Sequence, residues 1–184
     1  MNLANRLTLA RVALTPVFMW MFLWDFPFHH LVALAVFGLA ALTDYLDGIV
    51  ARSRGEVTNF GKFVDPIADK MLTTAAFIGL MQAELLSPWA LLLILVREFA
   101  VASVRMVAAG GGKVIAANFF GKFKTVAQYV AIMASVVALA WVQADESAEW
   151  TLTVSRVLLW IAALLTVASG IEYLWANRSF LREK

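Results

Sequence analysis

Six apolar stretches, each close to the length of a bilayer-spanning helix, succeed one another through almost the whole chain. A spanning helix needs about 20 consecutive, mainly apolar residues. The stretches fall at residues 8–26, 30–52, 63–84, 88–109, 123–143 and 153–175. Composition agrees with them, because 62% of the 184 residues are hydrophobic and only 15% are charged. Soluble domains run at about 45–50% apolar and about 25% charged. The expected architecture is an all-α membrane protein, six transmembrane helices in one bundle, with lipid as its main solvent. A cleaved secretory signal fits the start poorly, since the first apolar run is long and further spans follow it instead of a polar domain. No internal repeat, linker or low-complexity tract interrupts the chain.

Lysine and arginine set the orientation. Arg6 and Arg11 lie at the start, and Arg52, Arg54 and Lys62 between spans two and three. Lys113, Lys122 and Lys124 lie between spans four and five, and Arg178, Arg182 and Lys184 close the chain. The alternate connections, around Asp25–His30, Glu84–Pro88 and Asp145–Trp150, hold neither residue type. Cytoplasmic loops carry the excess of basic residues, so both termini are expected on the cytoplasmic side. Arg156 is the exception, near the outer start of span six, where its long stem lets the charge reach the interface. Trp24, Trp89, Trp141 and Trp150 cluster near the outer ends, as an interfacial aromatic belt does.

The chain has no cysteine, which removes disulfides, zinc–thiolate sites and thiol nucleophiles. Its two histidines, His29 and His30, are adjacent and at the outer end, and no chemistry is assigned to them. A net charge of +2 gives no electrostatic footprint for nucleic acid. Carboxylates are left to carry metal or acid–base chemistry.

The segment from Asp44 to Asp69 reads DYLDGIVARSRGEVTNFGKFVDPIAD. Asp44 and Asp47 are three apart and Asp65 and Asp69 four apart, so each pair projects from one face of its helix. A short connection joins the two helices, which are expected to be antiparallel neighbours with converging acidic faces. Two like charges about 4 Å apart cost roughly 4 kcal/mol even at an effective dielectric near 20. Pairing with Arg52, Arg54, Lys62 and Lys70 is one relief. Two divalent cations are the other, and all-oxygen ligation suits Mg²⁺, Mn²⁺ or Ca²⁺. Gly48 and Ala51 share the face of the first pair and leave space beside it. Gly61 opens the next helix, where backbone can approach a ligand closely.

The same residues fill the pattern D-x2-D-G-x2-A-R-x8-G-x3-D-x3-D at Asp44, Asp47, Gly48, Ala51, Arg52, Gly61, Asp65 and Asp69. In this the chain resembles the CDP-alcohol phosphotransferase family. Asn5, Thr8 and Arg11 resemble that family's N-terminal segment, so the resemblance extends over residues 1–184 as a single transmembrane domain. It implies that Asp44, Asp47, Asp65 and Asp69 hold two divalent metal ions, Mg²⁺ or Mn²⁺, on the diphosphate of a CDP-linked lipid. Asp69 would also take the proton from the attacking hydroxyl. Asp44, Gly48, Ala51, Arg52 and Gly61 would bind the CDP moiety, Arg52 at its phosphates. A homodimer is implied as well.

For the acceptor, Arg97 and Arg105 are eight residues apart on span four, about 80° apart around the helix at 100° per residue. With Lys122 and Lys124 at the start of span five they suit an anionic acceptor such as a phosphate ester, which arginine grips through bidentate contacts. FGKFVDPIADK and GKFKT resemble the bacterial branch of the family that transfers a phosphatidyl group from CDP-diacylglycerol to sn-glycerol 3-phosphate. That resemblance implies the bacterial cytoplasmic membrane and an acceptor-phosphate site at Arg97, Arg105, Lys122 and Lys124. Arg97 pairing with Glu98, and lysines placed only by the positive-inside rule, are the plainer readings. Phosphatidylglycerol, an inositol phosphate or serine stays open as acceptor. A carboxylate-bearing transporter is the rival from another class, although its acids would lie nearer the bilayer midplane with repeat symmetry. The triple glycine at 110–112 lacks the spacing of a phosphate loop and reads as a turn.

Overall fold

The computed structural model describes the backbone of residues 3–54, 59–110 and 119–178; within these, side chains at 3–5, 45, 47–54, 59–66, 69, 109–110 and 119 lie outside the description. The described residues are helical almost throughout. The order is α1 (Leu3–Leu23), α2 (His29–Arg54), α3 (Asn59–Gln82), α4 (Pro88–Gly110), α5 (Phe119–Ala144), a 3₁₀ turn (Glu146–Glu149) and α6 (Trp150–Ala176), with no strand among the described residues.

Each helix corresponds to one expected span, and the corrections are at the ends. α1 runs from Leu3 rather than residue 8, α3 from Asn59 rather than 63, and α5 from Phe119 rather than 123. The added turns contain charged and polar residues that are acceptable helix formers, so the helices outrun the apolar windows that reveal them. α1 stops three residues early, at Leu23, because the residue before Pro27 is biased away from helical backbone. α3 ends in a tight reversal. Glu84 adopts a left-handed φ of 58°, and Leu85 N–H donates to the Leu80 carbonyl at 3.0 Å, the bond that closes a Schellman cap. At the α5–α6 turn the Asp145 carboxylate accepts from Ser147 N–H at 2.9 Å. The Ser147 hydroxyl and this backbone donor hold its pKa below the usual carboxylate range.

Among the described residues, three helical stretches, Arg6–Leu23, Phe120–Ala144 and Glu146–Ala176, are long and apolar enough to cross a membrane. α2, α3 and α4 reach similar lengths of 26, 24 and 23 residues. In α2 the described apolar run is His29–Asp44, and the sequences of α3 and α4 are interrupted by Lys62, Asp65, Asp69 and Lys70 and by Arg97, Glu98 and Arg105. The two helices that carry the aspartate pairs, α2 and α3, are the least apolar of the six.

α2 and α3 touch only sparsely among the described residues, and the expected convergence of their acidic faces falls on side chains, those of Asp47, Asp65 and Asp69, outside the described residues. α1 packs against both helices. Phe18, Phe22, Phe37, Leu72, Phe77 and Leu80 fill this three-helix contact and are nearly or wholly inaccessible. A β-carbon on Gly79 would lie 2.9 Å from the Phe22 ring, so α1 and α3 approach too closely there for a larger residue. α4, α5 and α6 complete the bundle, with α6 against both α4 and α5, and α5 also against α2. Small buried residues (Ala90, Ala131, Ala162, Ala163) line the seams, as in bundles whose helices associate by close van der Waals packing. Leu92, Val96, Phe99, Val126, Val130, Leu164 and Ile171 face outward.

Trp24, Trp89, Trp141 and Trp150 are all exposed at one end of the bundle. Trp141 and Trp150 meet edge-on with ring centroids 6.3 Å apart. Arg156 lines a cleft of about 450 Å³ at this end with Glu84, Leu86 and Trp160. His29 is also here, its Nδ1 donating to the Phe22 carbonyl at 3.2 Å.

Candidate functional site

Among the described residues, Arg11 is the largest fully buried side chain that carries a charge, at 1% exposure, and it lies on the α1 face that enters the bundle. A guanidinium cannot shed its proton in a protein, so its burial requires a partner. Its Nη1 lies 2.6 Å from Oδ1 of Asp44, whose side chain is 39% exposed. Thr8, one turn earlier on the same face, is likewise buried. α1 thus delivers a fixed cation to the first aspartate of the motif, and the packing of α1 against α2 is what makes that contact available.

The side chains of Asp47, Asp65 and Asp69, and those of Gly48, Ala51, Arg52 and Gly61, lie outside the described residues. Their backbone places Asp44 and Asp47 on α2 and Asp65 and Asp69 on α3, both of which pack against α1. The donor chemistry fits hard divalent cations: four carboxylates and no soft ligand. The position of Arg11 on one oxygen of Asp44 holds that carboxylate in a fixed orientation, as ligands supported from a second layer are held.

A second charged cluster lies on α3, α4 and α5. Glu98 is its centre. Its Oε2 accepts from Lys70 Nζ at 2.5 Å, and its Oε1 accepts from Arg97 Nη1 at 3.1 Å and from Lys124 Nζ in a short contact. Arg97 Nη2 also donates to the Ser169 hydroxyl at 3.0 Å, tying α4 to α6. Close by, Gln128 donates to the Thr166 hydroxyl at 2.8 Å. Arg97 and Lys124 are buried, and Arg97 Nε has no hydrogen-bond partner among the described residues.

Gly170 makes room for this arrangement, since a β-carbon there would lie 2.5 Å from Arg97 Cγ. The Arg97 side chain is held at its tip by Glu98 and Ser169 and cannot swing aside freely. Gly170→Ala is expected to destabilise the folded protein by about 1–3 kcal/mol, the usual cost of overpacking, and to lower its thermal midpoint in detergent. An unchanged midpoint would show that Arg97 is not locked in place.

Of the four cations expected around the acceptor, Arg97 and Lys124 are brought together on Glu98. Arg105 lies two turns further along α4, its Nε donating to the Tyr173 hydroxyl at 3.2 Å with its guanidinium 5.3 Å from that ring's centre. Lys122 is exposed. The pairing of Arg97 with Glu98, weighed in the sequence as the plainer reading, is present. Sequence reasoning missed the gathering role of Glu98 and treated Lys70 only as a counter-charge to the aspartates. The available signal was the cost of an ionisable residue inside a span, which applies to Glu98 in mid-α4 as it does to the aspartates.

Comparison with known proteins bears on the whole chain. The family profile of CDP-alcohol phosphatidyltransferase matches residues 1–168. The CDP-diacylglycerol–glycerol-3-phosphate 3-phosphatidyltransferase of Bacillus subtilis is 41% identical over 98% of this chain and 97% of its own length. A probable phosphatidylglycerophosphate synthase of Mycobacterium tuberculosis is 42% identical over 94% of this chain and 79% of its own length. A CDP-diacylglycerol–glycerol-3-phosphate 3-phosphatidyltransferase of Rickettsia bellii is 35% identical over 97% of each. With the profile spanning most of the chain and these relatives aligned nearly end to end, the protein belongs to the CDP-alcohol phosphatidyltransferase family, a family of integral membrane enzymes.

Proposed function

We propose that this chain is a phosphatidylglycerophosphate synthase, transferring a phosphatidyl group from CDP-diacylglycerol to sn-glycerol 3-phosphate with release of CMP. The observation that carries the reading is the 41% identity to the Bacillus subtilis enzyme of that activity, across 98% of the chain. In the bilayer all six helices span, with both termini and the aspartate end on the cytoplasmic side of a bacterial inner membrane. The distribution of lysine and arginine supports that orientation, and the three charged helices are long enough to cross. The family resemblance supports a homodimer.

In this reading Asp44, Asp47, Asp65 and Asp69 hold two divalent cations, Mg²⁺ or Mn²⁺. When bound, such ions offset the negative charge that develops on the diphosphate. Arg11 keeps Asp44 oriented, and Arg52 binds the nucleotide phosphates. Gly48, Ala51 and Gly61 leave space for the cytidine. The acceptor's hydroxyl oxygen bonds to the phosphorus that carries the diacylglycerol, and the bond from that phosphorus to the CMP oxygen breaks. Asp69 takes the hydroxyl proton, which requires it within hydrogen-bond reach of that group. Arg97 and Lys124 bind the acceptor phosphate, with Arg105 and Lys122 further along the same entry.

CMP release by the purified protein tests this. The protein receives CDP-diacylglycerol, Mg²⁺ or Mn²⁺ and, separately, glycerol 3-phosphate, phosphatidylglycerol, inositol phosphate or serine. Metal-dependent release with glycerol 3-phosphate alone is expected. Release with a different acceptor would overturn the substrate, and release with none would overturn the enzymatic reading.

A further inference from the structure

Resting on the function just proposed, the Glu98 cluster carries a role for a residue that touches no substrate. A carboxylate in the middle of a spanning helix is costly unless it is paired, and one cation would suffice to pair it. Glu98 instead holds three: Lys70 on one oxygen, Arg97 and Lys124 on the other. These come from α3, α4 and α5, so a single side chain fixes the mutual position of three helices at this level. Lys70 immediately follows Asp69 in α3, which couples the cluster to the helix of the candidate base.

The charges do not cancel. Among the described residues, three cations against one carboxylate leave two positive charges in a largely buried site. A phosphate monoester carries about −1.5 to −2 at pH 7, so the excess matches the charge of such a group. A phosphodiester or a neutral alcohol would leave part of it uncompensated. The cluster is also reachable: the Lys70 side chain is 31% exposed and that of Glu98 16%. Arg97 Nε, buried and without a partner among the described residues, is a donor in reserve.

We propose that Glu98 is a positioning residue for the acceptor. It gathers Lys70, Arg97 and Lys124 into one cationic site and brings their joint charge to that of a phosphate monoester. Lys70 becomes a member of the acceptor-binding set on the same grounds. Both oxygens of Glu98 are in use, so an amide cannot replace it. Glutamine would offer one acceptor and turn an N–H₂ toward an ammonium, releasing one of the lysines.

The test is steady-state kinetics on the full-length protein in detergent, for Glu98→Gln, Lys70→Met and the double variant. Glu98→Gln is expected to raise KM for glycerol 3-phosphate about tenfold or more, the scale of a lost charged hydrogen bond. KM for CDP-diacylglycerol should stay within about twofold. Lys70→Met should raise the acceptor KM in the same selective way. Because Glu98 acts through Lys70, the double variant should be no worse than Glu98→Gln alone, whereas independent effects would multiply. Equal rises in both KM values, no rise in either, or multiplying effects would overturn the proposal. If Glu98→Gln does not fold, the half-open position of Lys70 keeps Lys70→Met informative, and its split between the two KM values decides. Failure of the functional reading looks different, since the unsubstituted protein would then release no CMP with glycerol 3-phosphate.

Discussion

Asp65→Asn is expected to lower kcat/KM for CMP release by at least about a thousandfold, the scale on which aligned electrostatic stabilisation of a transition state is lost. The substitution keeps the size of the side chain and removes one of four negative charges. Its effect on stability should therefore be opposite in sign to its effect on turnover. In the proposed site the aspartates of α2 and α3 would repel one another without metal, at roughly 4 kcal/mol for a pair about 4 Å apart at an effective dielectric near 20, and the amide would relieve part of that. The metal-free variant should melt no lower than the unsubstituted protein. Added Mn²⁺ should raise the melting temperature of the unsubstituted protein, because a ligand bound only to the folded state stabilises it by mass action. In Asp65→Asn that increment should largely vanish. A variant that keeps its metal-induced shift and more than a tenth of its activity would remove Asp65 from the metal set.

Arg11→Met should cost about 2 kcal/mol of stability and most of the activity. Removing one member of a buried ion pair usually costs about 3–5 kcal/mol. Here the lower figure applies, because Arg11 is fully buried while the Asp44 side chain is 39% exposed and can recruit water. Methionine preserves much of the buried stem, so the loss reports the charge contact rather than a cavity. Pairing the change with Asp44→Asn gives the decisive comparison. If the contact at 2.6 Å carries the effect, the double variant should regain stability relative to Arg11→Met, since the charge that lost its arginine is then replaced by a neutral amide. Its activity should stay lost, because Asp44 is itself a proposed ligand. Stability effects that simply add would show that Arg11 supports the fold independently of Asp44.

Much of the fold could be read directly from residue order. Six apolar windows mark six helices, and the tryptophans that flank them lie exposed at one end of the bundle. The spacings of Asp44 with Asp47 and of Asp65 with Asp69 are properties of one helix at a time, and so is the family pattern. What could not be read is which helix faces which. Nothing in the local spacings shows that α1 packs against both α2 and α3 and supplies Arg11. Periodicity says nothing about a partner that arrives from another part of the chain. The same limit hid Glu98: its contacts with Lys70 and Lys124 are 28 and 26 residues away in sequence, and no local spacing announces them. Arg105 shows the converse, because sharing a helix with Arg97 does not place it in the same cluster, and Tyr173 on α6 holds it elsewhere.

The position of α1 also bears on how the protein is made. A nascent chain emerges from its N-terminus, so Arg11 leaves the ribosome before Asp44, its acidic partner in the bundle. Asp44 follows 33 residues later, on the next helix. The α1–α2 hairpin is thus the earliest unit in which the buried cation can be neutralised. The aspartates of α3 then arrive at a surface where one negative charge is already matched. Biogenesis of the proposed active centre begins with the contact between α1 and its first carboxylate.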